Sequence, residues 1–264
     1  MDDRDQIRES FSNIELKTLL GDDADGMNLY VFDELDSTNT YAKRLVIEEN
    51  IKHALIVAGF QSAGRGRMGR SFYSPNGTGV YFSILHTTEQ PLSGVVSLTS
   101  MTAVAVMRAI RDLTGKQAQI KWVNDLYLQN KKVCGILAES ISLGDGMSRV
   151  IIGIGINWYA SEFPQELAQI AGSVGADRSI SRLRLVAQIH RELQRLMRSI
   201  DSDDWLSDYR EHSMVIGKEI LWMQDGREHT GRAIGIDPRG ALIVRNDAGE
   251  ETALFSGEIT LRVR

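Results

Sequence analysis

The chain has almost no cysteine. Cys134 is the only one in 264 residues, which excludes an internal disulfide framework and suits a reducing cytoplasm. Metal-ligand clusters are also missing. The five histidines, His53, His86, His190, His212 and His229, are scattered, and none stands at ligand spacing with another histidine or with the cysteine, so a protein-bound zinc site is not expected. No apolar run approaches the roughly 18–20 residues that span a bilayer, so no membrane association is expected. The opening MDDRDQIRES carries charges of both signs and has no secretory-signal character. A basic excess is absent as well. The formal net charge is −5, whereas a dedicated DNA-binding chain shows a basic face, so no DNA partner is expected.

What remains is a soluble globular composition, 42% hydrophobic and 25% charged. The length suits a catalytic domain of about 200 residues with a small appendage. The pattern predicts a short helix around Asp5–Leu20, a Gly/Asp-rich loop, and a strand beginning near Val31–Phe32. A helix follows from Ser37 to Asn50, capped by Asp36 or Ser37. Apolar runs predict buried strands over His53–Gln61 and Gly79–Leu85. A largely apolar helix covers Leu98–Leu113 and stops at Gly115. A strand over Gln119–Val123 precedes a hairpin in Leu126–Ser140, turning near Asn130–Lys131. Gly144 and Gly146 mark a turn before a strand over Arg149–Trp158. Helices over Leu183–Ser199, with a strong 3.6 period, and Trp205–His212 complete this part. From Val215 the texture changes to short strands split by Asp-Gly, Pro-Arg-Gly and Asp-Ala-Gly turns, which suggests a small β-barrel of about 50 residues. The expected division is an N-terminal extension over 1–27, an α+β domain over 28–213 and an all-β domain over 214–264. The sheet of the α+β domain is expected to be mixed and mainly antiparallel, with helices gathered to one side.

The densest local signal is QSAGRGRMGRSF (Gln61–Phe72). It contains a formal G-x-G-x-x-G at Gly64, Gly66 and Gly69, and it nearly matches a P-loop, with Arg70 in the lysine place. Both motifs require a helix after the loop. Here the loop is followed by Pro75, Asn76-Gly77 and then a strand, so both readings fail. The chemistry survives their failure. Glycines allow backbone N–H groups to approach an anion closely, and arginines offer permanently charged planar donors. A basic loop in an acidic chain points to a small anion such as a nucleotide phosphate; the plain alternative is a solvated turn. Such a loop is expected to be mobile when empty.

Three further features stand out. Asn124-Asp125 follows a strand; the pair suits a nucleotide and Mg²⁺, or is an ordinary turn. Lys132 precedes a buried strand, where its ammonium either meets a carboxylate or α-phosphate or is exposed beside Lys131. Gly153 and Gly155 alternate on a strand, which implies that a planar ligand or a closely packed neighbour lies on that face. Trp122 and Cys134 read as packing residues.

In order along the chain, DSTNTYAKRL (Asp36–Leu45), QSAGRGRMGRSFYSP (Gln61–Pro75), GVYFSI (Gly79–Ile84), IKWVNDLYLQNKKVCGIL (Ile120–Leu137) and VIIGIGIN (Val150–Asn157) resemble the biotin–protein ligase catalytic domain. The β-rich tail is similar to that family's small SH3-like domain. The resemblance covers about residues 30–264. It implies a class II synthetase-like catalytic fold and a monofunctional ligase. Such an enzyme makes biotinoyl-AMP from biotin and ATP with Mg²⁺, then modifies a lysine of a biotin carboxyl carrier domain in a biotin-dependent carboxylase.

The resemblance also implies a set of roles. Ser37, Thr38, Asn39, Gln61, Gly64, Arg65, Gly66, Arg67, Lys132, Gly135, Leu137 and Gly153 bind biotin. Arg67, Arg70, Phe72, Asn124, Asp125, Lys132 and Asn157 serve the nucleotide. Arg65, Arg67 and Lys132 carry the chemistry, and Asp125 is the candidate toward Mg²⁺. Val123 stands where the family usually has proline, and Phe72 where tryptophan is common. A lipoate ligase is the nearest alternative and would need a narrow apolar tunnel. A repressor would need a winged helix of about 60 residues before the domain, and a catalytically dead nucleotide-binding module is opposed by the basic loop and Lys132. A strand near Glu139–Val150 offers an edge through which two copies could pair.

Overall fold

In the run ALIVAG (Ala54–Gly59) every residue is buried, so this strand has an apolar environment on both faces and fixes the layering of the domain. The computed structural model describes residues 11–88, 94–198, 204–224, 226–257 and 259–261. Helix α1 (Asn13–Leu20) is capped by Ser12, whose hydroxyl accepts from Glu15 N. The earlier part of the expected first helix lies outside the described residues. Strand β1 (Asn28–Leu35), helix α2 (Thr38–Glu49), β2 (Ala54–Gln61) and β3 (Gly79–Thr88) follow. Helix α3 (Val95–Thr114) is longer than expected at its start and ends at Gly115 (φ 71°), in the left-handed conformation that favours glycine. Then come β4 (Gln119–Lys121), β5 (Asp125–Leu128), β6 (Lys131–Ile141), β7 (Ser148–Asn157), α4 (Arg182–Arg198) and α5 (Asp204–Glu211).

The seven strands form one sheet in the order β1-β2-β3-β7-β6-β5-β4; β1 and β2 run parallel and every other pair is antiparallel. The fold is therefore the mixed, mainly antiparallel α+β arrangement that the sequence predicts. The helices do not all gather on one side. The apolar face of α2 (Ala42, Leu45, Val46) meets Ala54, Ile56, Leu85 and Ile151. Helices α1, α3, α4 and α5 cover the opposite face, where Leu55, Val57, Phe82 and Ile152 point. Alternation along β2 and β7 sends successive side chains to the two layers, so an apolar run at every position requires a cover on each.

Two local boundaries differ from expectation. Strand β4 ends at Lys121, and the Trp122–Val123 peptide after it is cis. The β5–β6 hairpin turns on Gln129–Asn130, with φ of 50° and 61°, one residue earlier than predicted. Two-residue hairpin turns that match the strand twist need positive φ at both central positions.

The tail forms β8 (Glu219–Gln224), β9 (Arg227–Ile236), β10 (Leu242–Arg245), β11 (Glu251–Leu254) and β12 (Ile259–Leu261), an antiparallel sheet in the order β11-β10-β9-β8-β12. These short antiparallel strands joined by tight turns are the small β domain that the turn spacing predicts; among the described residues β11 and β12 are its outer strands. Ile220, Trp222, Ala233, Ile236 and Leu242 join the same apolar core as α3 and α5. Polar contacts reinforce the junction. Trp122 Nε1 donates to Gly240 O at 2.9 Å, and Arg210 Nε donates to Ile236 O at 2.9 Å. Trp122 and the fully buried Cys134 are packing residues, as predicted, and burial pushes the Cys134 thiol pKa well up, so it stays protonated.

Candidate active site

The layers bring the N-terminus of α2, the C-terminal end of β2, the glycine–arginine loop and strands β6 and β7 to one open cleft of about 1160 Å³. Every residue given a binding or chemical role from the sequence borders it: Ser37, Thr38, Asn39, Gln61, Gly64, Arg65, Gly66, Arg67, Arg70, Phe72, Asn124, Asp125, Lys132, Gly135, Leu137, Gly153 and Asn157. Those positions span 37 to 157, and the sheet order alone makes them neighbours. Gly257, Ile259 and Thr260 of the C-terminal domain also border the cleft; nothing in their sequence context marked them.

The end at α2 is a hydrogen-bonded wall. Ser37 caps the helix, its hydroxyl accepting from Thr40 N. Gln61 Oε1 accepts from Thr38 N at 2.9 Å and from Thr38 Oγ1 at 3.2 Å. Gln61 Nε2 donates to Ser74 Oγ at 3.1 Å, which ties the wall to the segment after the loop. Ser83 of β3, fully buried, sets its hydroxyl 2.7 Å from Thr38 Oγ1 and 2.6 Å from Asn39 Oδ1; its single proton serves one of them at a time. Ser83, Glu139 and Lys43 were not singled out. Lys43 and Ser83 lie inside segments that carry the resemblance, and Glu139 enters only as the end of a candidate pairing strand; an inward serine on an apolar strand was the available signal.

The glycine–arginine segment folds back on itself. Gly66 N donates to Arg70 O at 2.8 Å, Phe72 N donates to Gly64 O at 2.9 Å, and Arg65 and Ser71 form a bridge. A single 3₁₀ turn, Arg67–Gly69, sits at the tip, and no α-helix follows, as the rejection of both nucleotide-loop motifs requires. Arg65 and Arg70 are exposed, whereas Arg67 is half-buried. Arg67 Nη1 donates to Asn124 Oδ1 at 3.1 Å and Nη2 donates to Gly257 O at 3.2 Å, which binds the loop to the β4–β5 turn and to the C-terminal domain.

Asn124 is engaged on both sides. Its Nδ2 donates to Ile136 O at 2.9 Å while its oxygen receives Arg67, so it orients an arginine instead of offering a free amide. Asn157 is likewise occupied, its Nδ2 donating to Gly172 O at 2.8 Å. Lys132 reaches Asp125, Nζ to Oδ1 at 2.7 Å, so the two chemical candidates form an ion pair with each other.

The glycines on β6 and β7 answer a steric demand. A Cβ on Gly155 would stand 2.5 Å from Phe72 Cε1, and one on Gly153 would stand 2.1 Å from Asn39 Oδ1. Gly135, paired in register with Gly155, clears space for Phe72 and for the Lys132 ammonium. Thus the side chains of Phe72 and Asn39 cover these glycines, and the face is shaped by protein. The cleft wall carries Arg65, Arg67, Arg70, Lys121 and Lys132 against the carboxylates Asp125 and Glu166, a cationic site in a chain of net charge −5.

Comparison with known proteins gives consistent matches. Residues 31–157 match the Biotin/lipoate A/B protein ligase family, and residues 215–262 match the Biotin protein ligase C terminal domain. The bifunctional ligase/repressor BirA of Bacillus subtilis is 32% identical over 95% of this chain and 79% of its own length. The biotin–[acetyl-CoA-carboxylase] ligase of Mycobacterium tuberculosis is 27% identical over the whole of both chains, 100% of each. A biotin protein ligase from Aquifex aeolicus, solved with biotin and ATP, is similar in structure at a TM-score of 0.73 and 27% identity, covering 90% of this chain and 99% of that one.

Proposed function

Since the chain belongs to the biotin/lipoate A/B protein ligase family and is a biotin–protein ligase, we propose that it joins biotin to ATP as biotinoyl-5′-AMP and then transfers the biotinoyl group to one lysine of a biotin carboxyl carrier domain in a biotin-dependent carboxylase. The observation that carries this reading is the convergence of Arg65, Arg67, Arg70 and Lys132 on one cleft.

In the first step a biotin carboxylate oxygen bonds to the α-phosphorus of ATP and pyrophosphate leaves. Two anions must approach, so fixed cations lower the barrier. Lys132 begins on Asp125, 2.7 Å away, and exchanges that carboxylate for the reacting anions. Arg65 and Arg67 face biotin's carboxylate and the α-phosphate, and Arg70 the rest of the nucleotide. Ser37, Thr38, Asn39, Gln61, Gly64, Gly66, Leu137 and Gly153 form the biotin end. Phe72, Asn157 and the clamped Asn124 border the nucleotide. In the second step the carrier's amine attacks the acyl carbon, and AMP departs. The mixed anhydride survives only if water is kept off, a task for the loop anchored through Arg67.

The residues suit Mg²⁺ as a substrate-borne ion. Among the described residues no group of three or more His, Cys, Asp or Glu stands ready to cage a metal. This ion commonly takes one or two carboxylates plus phosphates, so Asp125 would be its protein donor, and the ion would offset phosphate charge. DNA binding is not part of the proposal. The edge of β6 near Glu139, past the pairing with β5 and the Asn124 bonds of Ile136, is where a second copy would pair.

Calorimetry decides between ligand classes. Biotin should bind alone, with ATP then binding the biotin complex, while lipoate gives no heat. Lipoate binding without biotin binding would assign the chain to the other branch of the family.

A further inference from the structure

Behind the cleft wall, the carboxylate of Glu139, which does not border the cleft, meets the amide of Asn39 and the ammonium of Lys43. Glu139 Oε2 accepts from Asn39 Nδ2 at 2.8 Å, and Glu139 Oε1 accepts from Lys43 Nζ at 2.7 Å. Leu137 O, at 3.4 Å, is a second acceptor for the same Nδ2. Asn39 and Lys43 lie one turn apart on α2, so a single carboxylate on β6 grips both.

A primary amide fits most sites either way round, but here chemistry chooses. A carboxylate and a carbonyl only accept, so the NH₂ must face Glu139 and Leu137. The oxygen is then directed to the other side, where Ser83 Oγ lies 2.6 Å away and where a Cβ on Gly153 would approach to 2.1 Å. Gly153 and Asn39 both border the cleft. Without a side chain on Gly153, Oδ1 of Asn39 keeps its place at this end as an acceptor.

We infer that Glu139 is a positioning residue, locking Asn39 with its oxygen on the Gly153 side, so that this end of the cleft selects a ligand head bearing N–H donors, such as a cyclic urea, over a plain hydrocarbon or disulfide ring. The inference rests on the ligase reading above and adds the source of its discrimination. Lys43 has a subsidiary part: it keeps Glu139 ionised. Burial alone would raise the Glu139 pKa, but the bonds from Lys43 and Asn39, with the nearby charges of Lys43 and Arg65, bring it below the usual carboxylate value.

The test is ATP–pyrophosphate exchange by the full chain, with biotin and ATP titrated separately. Glu139→Leu should raise KM for biotin about tenfold, equivalent to about 1.4 kcal/mol, with kcat and KM for ATP within about twofold of wild type. Glu139→Gln keeps an acceptor and should stay within about threefold. An exchange of donor and acceptor gives an independent arm. Asn39→Asp sets two carboxylates face to face and should weaken biotin binding roughly thirtyfold or more; adding Glu139→Gln supplies an amide donor and should restore it to within about fivefold. Calorimetry reads this pair even if Glu139→Leu fails to fold. An unchanged biotin KM in Glu139→Leu, equal losses toward biotin and ATP, or no recovery in the double variant overturns the inference. A wild-type chain with no biotin-dependent exchange sinks the ligase reading itself and is seen before any variant is made.

Discussion

The ammonium of Lys132 lies 2.7 Å from the carboxylate of Asp125, on the opposite strand of the β5–β6 hairpin. Both side chains are partly exposed to the cleft, 34% and 20%, so the pair is neither sealed in the core nor a loose surface contact. An exposed lysine beside Lys131 was the plain alternative from sequence, and a bulge in register between Leu126 and Tyr127 accompanies its inward placement. Lys132→Ala removes a cation proposed to meet the reacting anions and should cut biotin-dependent ATP–pyrophosphate exchange by about a hundredfold or more. Exchange close to wild type would refute the assigned role.

Gly155 supports Phe72 across the cleft. Its added methyl would stand 2.5 Å from the ring, and the ring is also bounded by Tyr81 in an edge-on contact at 6.4 Å. Gly155→Ala should therefore destabilise the fold by about 1–3 kcal/mol, the usual cost of overpacking. Phe72→Leu in the same chain should recover part of the lost Tm. Simple additivity of the two substitutions in thermal melts would show that the ring is not what the methyl meets.

Much of this architecture was legible because local chemistry and global packing agree. Ser37 caps α2 and Gly115 ends α3 as their residue types require. The doubly buried β2 is recognisable as a strand, but an apolar run does not say which helix covers which face, so the expectation of helices on one side misses α2 on the other. The site residues were legible as a set through the resemblance. Their partners were not, since Arg67 to Gly257 is a contact over 190 positions and Asn39 to Glu139 one over 100. The C-terminal sheet was legible from its turns, which count the short strands but do not fix their order β11-β10-β9-β8-β12.

Acid should weaken the fold partly through His190, which is 1% exposed on α4. Burial lowers its pKa from the usual 6.5; Asp23 opposes that shift, while Arg191 and Arg198 add to it. The unfolded chain then binds a proton near pH 6.5 that the folded chain still refuses, so stability present above that pH is lost as pH falls through the folded value. His86, also depressed by burial and by His53, acts with the same sign. His190→Gln removes one titrating group, and its Tm should decline less than that of wild type between about pH 7 and 5. Parallel Tm profiles would mean that this histidine is not responsible.

Arg67 joins three segments that are otherwise far apart in sequence: its own loop, Asn124 in the β4–β5 turn and Gly257 in the C-terminal domain. Arg67→Gly deletes both bonds and adds backbone freedom at the loop tip. Arg65, Arg70 and Lys132 remain, so adenylate should still form, though more slowly without the Arg67 cation. What should fail most is retention, because on the proposed reading the loop fastened by Arg67 keeps water off the mixed anhydride. The expected result is biotinoyl-AMP in solution and biotin on lysines of an added bystander protein, with labelled adenylate lost from the enzyme at least about tenfold faster in rapid gel filtration. Arg67→Lys keeps a charge without the planar fork that reaches two acceptors at once, and should fall between the two. If Arg67→Gly holds the intermediate as long as wild type does, the loop is not the lid.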